Sequence, residues 1–249
     1  MIRRSRVSYK TTGDEFMVRL VLSTIALLLA GQAALAADDA PYPQTVTFVA
    51  SRNGKPIGTH SLTFSSKDGQ RTVTTSIDLA VKIIGITAYR YSHRSQEIWD
   101  SNRLQSLASQ TDDNGKRFAL RIARAGDTLE IERGEIAPTM QAATLDQGLP
   151  PAQAIREKAP GALMPTSHWN MRQTAQSVVI NSQTGVQANV AVANLGRGSV
   201  QTTARTIEAT HYRYSGDMRL DQWFDDKGRW VKAIFTAPDS STIEYTLQE

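Results

Sequence analysis

The sequence predicts an all-β fold, mainly antiparallel: a single sheet curled on itself or an open or closed β-barrel, carrying a short helical, proline-rich insertion. Three observations carry this. Apolar and polar residues alternate from Gln44 to Glu132, pairs of the Asn-Gly and Asp-Gly type punctuate the alternation, and five of the nine prolines crowd between Pro138 and Pro165. Alternation with a period of two is the mark of antiparallel strands with one wet face.

The chain begins with an expected export signal. Leu20 to Ala30 reads LVLSTIALLLA, too short to span a bilayer, which needs about 20 apolar residues. Arg19 supplies the positive flank, and Ala34-Leu35-Ala36 places small residues at the two positions a signal peptidase requires. Residues 1–36 are therefore expected to be a cleaved signal peptide, and the mature chain to begin at Ala37. Asp14 and Glu15 lie between the basic cluster Arg3-Arg4-Arg6-Lys10 and the apolar run, which makes Met17 a candidate true start. Arg3-Arg4 lies too far upstream of the apolar run to read as a twin-arginine signal.

Removing residues 1–36 takes away five basic and two acidic residues, so the precursor charge of +4 falls to +1. A nearly neutral domain lacks the basic footprint of a nucleic-acid binder. With no cysteine in 249 residues, the chain has neither disulfides nor a lipidated cysteine. Its core alone must hold it. Residues 37–249 are long enough for one β-rich domain, with the insertion at about 138–166 and no integral membrane segment in the mature chain.

The elements follow in order. Val46 and Phe48 open the first strand, and Asn53-Gly54 predicts a tight hairpin because both central positions of a type I′ turn need positive φ. Asp68-Gly69 and Asn114-Gly115 repeat the device. Val73, Ile77, Leu79 and Val81 share one face opposite Thr72, Thr74, Ser76 and Asp78, and Phe118, Leu120 and Ile122 oppose Arg121. This predicts an apolar concave side and a solvated outside. Pro151 followed by AQAIREK predicts one short helix over 151–158, and residues 168–176 are a second candidate. Strands resume at Val178, with turns expected at Gln183-Thr184-Gly185, Gly196-Arg197-Gly198 and Asp225-Asp226-Lys227-Gly228. A short repeat, Tyr89-Arg90-Tyr91-Ser92 leading to Trp99 and Tyr212-Arg213-Tyr214-Ser215 leading to Trp223, suggests two similar meanders.

No catalytic signature is present. G-x-S-x-G is missing, and His60, His93, His168 and His211 show no metal-ligand spacing. The reading is therefore of no cofactor, no metal and no catalytic residue. Gly196-Arg197-Gly198-Ser199 lacks the remaining parts of a phosphate loop, and Asp225-Asp226 reads as turn chemistry. Pro165-Thr166-Ser167-His168-Trp169-Asn170 is the most unusual string. Trp, His and Asn together can stack on and hydrogen-bond a ligand at a barrel mouth; the competing reading makes Trp169 a plug of the barrel end. Candidate ligand contacts are His168, Trp169, Asn170, Tyr212 and Tyr214.

His168-Trp169-Asn170, Asn181-Ser182-Gln183-Thr184-Gly185, the string His211 to Asp217, and Trp223 to Trp230 through Ile243 to Leu247 resemble a family of exported proteobacterial proteins known as a domain of unknown function. The resemblance implies no activity and no catalytic residue. In kind, the fold is similar to periplasmic open barrels such as lipoprotein carriers, an analogy that bears on fold alone. The expectation is an exported periplasmic protein, non-enzymatic, binding an apolar small molecule or lipid on its curved sheet. An envelope-assembly protein docking a partner, and a hydrolase whose site forms only in the fold, are the rivals. A histidine within reach of a second histidine or a carboxylate in a cleft favours the hydrolase; an apolar cleft without them favours the carrier.

Overall fold

The computed structural model describes residues 42–136 and 154–249. Residues 1–41, on which the expected signal peptide falls, and residues 137–153, which hold most of the proline-rich stretch, lie outside them. The first seven strands are β1 (Thr45–Arg52), β2 (Lys55–Lys67), β3 (Gln70–Ile83), β4 (Ile86–Asp100), β5 (Arg103–Asp113), β6 (Lys116–Ala125) and β7 (Thr128–Ile136). After the undescribed stretch come β8 (Ile155–Pro160), β9 (Met164–Pro165), a 3-10 helical turn (Met171–Ala175) and β10 (Val178–Ile180). The chain ends in β11 (Gln187–Gln201), β12 (Thr206–Gly216), β13 (Leu220–Asp225), β14 (Trp230–Thr236) and β15 (Thr242–Gln248).

Neighbouring strands hydrogen-bond in the order β8-β7-β6-β5-β4-β3-β2-β1-β15-β14-β13-β12-β11-β10-β9. The first and last strands join two meanders, since Phe48 pairs with Leu247 and Ala50 with Tyr245. All pairs are antiparallel except β9 with β10. This order dictates the curl. Laid flat at about 4.8 Å per strand, the sheet would hold its edges roughly 67 Å apart. Yet the edge strands β8 and β9 are separated by only Gly161, Ala162 and Leu163, a link of at most about 14 Å. The sheet must bend until its edges nearly meet. They do not pair, so the curl stays open along a seam.

The tight turns form where the sequence places them. Asn53, Asp68 and Asn114 have φ of 50°, 53° and 52°, each followed by a glycine at positive φ. The turns at Gln183-Thr184 and Asp226-Lys227 are also present. Three expectations need correction. Ile155–Pro160 is a strand instead of a helix, because its charges meet complementary charges across β7: Glu130 opposes Lys158 and Glu132 opposes Arg156, with ion pairs of 3.3 Å and 3.0 Å. Tertiary pairing overrides the helical propensity of AQAIREK. Second, β11 runs straight through Gly196-Arg197-Gly198, which forms a bulge between Asn194 and Arg197 and no strand connection. Third, Tyr91 and Trp99 share the single strand β4 whereas Tyr214 and Trp223 lie on β12 and β13, so the two Tyr-rich strings are not structural repeats.

The core lies inside the curl. Phe48, Leu62, Val73, Trp99, Leu107, Leu120, Ile131, Phe224 and Trp230 are among its fully enclosed side chains. The concave side is nevertheless far from purely apolar, because His60, Thr75, His93, Ser95, Glu97, Ser109, Thr111 and Gln222 are buried with them. Part of the cause is the segment Thr166–Trp169, which leaves β9 and fills the interior, bringing backbone groups that need partners. Tyr42 Oη donates to the Trp169 carbonyl at 2.6 Å; the turn after β10 adds another such group, the Ser182 carbonyl, which accepts from Ser109 Oγ at 2.7 Å.

Candidate functional site

Glu97 is fully enclosed in the interior. Its Oε2 accepts from the indole Nε1 of Trp99 at 2.7 Å and of Trp169 at 3.0 Å. Burial raises its carboxyl above the usual range, opposed by the hydrogen bonds from Ser167, Trp169 and Trp99. Trp169 is only 4% exposed. Its ring meets Trp99 and Phe64 edge-on, with centroids 5.5 Å and 5.8 Å away. It fills the interior as a plug does.

Three histidines also face inward. His168, at φ 69°, stacks on Trp230 and hydrogen-bonds Gln222 through Nδ1. His93 Nδ1 lies 2.8 Å from Thr111 Oγ1. His60 is ringed by Phe48, Trp230, Tyr245 and His168. Desolvation lowers the pKa of all three, to about 4 for His93 and His168 and well below the ordinary value for His60. No group of three or more histidines and carboxylates among the described residues could hold a metal ion. His211 does reach a carboxylate, Asp221 Oδ1 at 2.6 Å. That carboxylate is shared with exposed Arg213 at 2.8 Å, on the strand face opposite buried Tyr214.

The open space lies at the seam. A cleft of about 770 Å³ runs where β8 gives way to β9, a volume within the roughly 300–1,000 Å³ of small-molecule sites. Trp99, Leu104, Leu163 and Met164 give it apolar surface; Arg103, Arg124 and Arg172 give it positive charge, and Asp127 is its acidic member. Arg124 is committed to the wall, donating from Nε to the Leu104 carbonyl at 2.6 Å and from Nη2 to the Gly161 carbonyl at 2.7 Å. Partial burial and neighbouring Arg103 lower its pKa from the ordinary value. Arg103 pairs with Asp127 at 3.1 Å, both side chains well exposed, a contact of small worth in water. Gly161 makes the wall possible, since a Cβ there would stand 2.5 Å from Arg124 Nη1 and 2.6 Å from the Asp127 carbonyl.

The string Pro165 to Asn170 thus stands behind the cleft. Trp169 backs Trp99, and Asn170 Oδ1 accepts from the Arg172 backbone N–H at 3.1 Å, capping the helical turn that carries Arg172. Tyr214 is buried elsewhere, with Val179, Val190 and Leu220, whereas Tyr212 packs against both that cluster and the main core that holds Trp169. Tyr214 thus lies in a different cluster from Trp169, while Tyr212 stands beside Gln222, the partner of His168. Arg103, Arg124 and Arg172 escaped sequence reasoning because they come from three distant segments. Pro160-Gly161 at the seam was the one local signal available.

A β-barrel-like protein of the domain of unknown function DUF1849 from Brucella abortus has a similar fold, with a TM-score of 0.54 over 82% of this chain and 95% of that one, at 9% identity. At that identity the likeness concerns fold alone. None of the curated proteins matches the chain significantly. The domain of unknown function DUF6134 matches residues 48–248, and the chain belongs to that family.

Proposed function

We propose that the protein is an exported, non-enzymatic binding protein of the bacterial periplasm that holds an amphiphile with an apolar body and an anionic head group. The observation that carries the reading is the seam cleft, whose apolar surface and arginines suit such a molecule. The acyl part lies along Leu104, Leu163 and Met164. Arg103, released from its exposed partner Asp127, and Arg172, which has no ion pair among the described residues, meet the head group. The site differs from the one expected on the concave face, which the Thr166–Trp169 segment occupies.

The cleft lining contains no histidine, and the reachable His211 and Asp221 lie outside it, which favours binding over hydrolysis. Calorimetric titration with laurate and with dodecylamine tests the reading. Laurate is expected to bind and dodecylamine to bind at least tenfold more weakly. Equal affinity, or no binding of either, would overturn it.

A further inference from the structure

The β3–β4 hairpin reaches beyond the sheet. Pairing of β2 with β3 stops at Gly58 opposite Leu79, and pairing of β4 with β5 stops at Tyr91 opposite Asp113. Ala80 opposite Arg90, Val81 opposite Tyr89, Lys82 opposite Thr87 and Ile83 opposite Ile86 continue the ribbon, for roughly 13 Å. Its base is tied to the β5–β6 turn, where the Arg90 carbonyl accepts from the Asn114 backbone N–H at 2.8 Å and Tyr89 Oη donates to Asp113 at 2.7 Å. The last two rungs continue alone. A bare two-stranded ribbon is marginally stable in water. At its tip Ile83, Ile84 and Ile86 are 59%, 96% and 73% exposed.

The turn residue is equally out of place. Asn53, Asp68 and Asn114 fill the first positive-φ position of their hairpins, and Ile84 fills the same position here at φ 51°. Left-handed backbone is disfavoured for a β-branched residue, and full exposure deprives Ile84 of any packing in return. The only charged residues between Leu79 and Tyr91 are Lys82 and Arg90, both basic and exposed.

We infer that this tip seats the protein on an anionic lipid surface, with the three isoleucines entering the headgroup boundary and Lys82 and Arg90 meeting acidic headgroups. A convex tip of three side chains presents far less than the roughly 1,000 Å² that a stable protein interface buries. A bilayer demands no matching shape, and the one-signed charge complements its acidic lipids.

Because the chain has no cysteine, Ile84→Cys carries a single environment-sensitive fluorophore, and Asp68→Cys labels the opposite end of β3 as control. Added to the full-length protein, vesicles of phosphatidylglycerol and phosphatidylethanolamine should blue-shift and brighten the label at position 84 and leave that at position 68 unchanged. Phosphatidylcholine vesicles should require roughly thirty-fold more lipid for the same signal, the effect of two basic residues. Ile84→Asn, which restores the residue type of the other turns, should keep the fold and weaken vesicle binding several-fold. An unchanged label at position 84, unchanged binding by Ile84→Asn, or tip-dependent self-association without lipid would overturn the inference. Arg103→Ala should leave vesicle binding intact, which separates this surface from the cleft.

Discussion

Truncating Trp169 to alanine removes an indole that is 4% exposed and packed against Trp99 and Phe64. Large-to-small aromatic changes in cores cost about 3–5 kcal/mol. Here Glu97 also loses one of its indole donors, and hydrogen bonds to an ionisable group contribute about 1.5–3 kcal/mol. Because the two losses overlap, the expected cost is about 4–6 kcal/mol. For a domain of this size each kcal/mol lowers Tm by about 2–4 °C, so Trp169→Ala should melt roughly 10–20 °C below wild type. Trp169→Phe keeps most of the ring contacts and loses only the donor, and should fall by roughly 3–12 °C. Calorimetry and urea titration of the three proteins decide the matter. A drop under about 3 °C for Trp169→Ala, joined to loss of laurate binding, would mean that Trp169 serves a ligand instead of the fold.

Other perturbations follow from the same interior. His93 and His168, pushed down to about 4 by desolvation, stay neutral in the fold while the unfolded chain protonates its histidines near 6.5. Unfolding therefore takes up protons between those values, and stability should decline as pH falls from about 6.5 to 4, by up to about 3 kcal/mol per histidine. His93→Gln should flatten the decline; a Tm constant across that window would refute the assignment. Glu97 acts in the opposite direction, because burial raises its carboxyl and it costs stability as pH rises above its ordinary value. Glu97→Gln should hold or raise Tm at pH 7, and thermal melts at pH 4 and 7 should show the benefit only at the higher pH. Gly161→Val brings side-chain carbon against Arg124 and the Asp127 carbonyl; it should reduce laurate affinity at least tenfold with a smaller change in Tm than Trp169→Ala.

Hairpins were the most legible part of the fold, since Asn-Gly and Asp-Gly state their backbone requirement locally. Strand β8 was illegible for the converse reason: Ile155 to Pro160 acquires its conformation from Glu130 and Glu132 in β7, some twenty-five positions away. The polar interior was hidden too. On β4 the buried Tyr91, His93, Ser95, Glu97 and Trp99 alternate with Ser92, Arg94, Gln96 and Ile98, so neither face reads as apolar. The string around Trp169 could be singled out by composition, but composition alone did not separate plug from ligand contact. The cleft depends on topology: Arg103, Arg124 and Arg172 converge because the strand order brings the two sheet edges together.

Where a bound acyl chain lies tests the central claim most directly. Laurate carrying a diazirine at its methyl end, irradiated with the protein and mapped by peptide mass spectrometry, should attach to the segment Leu163–Met164 or to Trp99 and Leu104. Arg103→Ala with Arg172→Ala should lower the yield at least tenfold without altering Tm. Attachment inside the curl near His60 and His93, on the outer face around His211, or nowhere, would contradict the account.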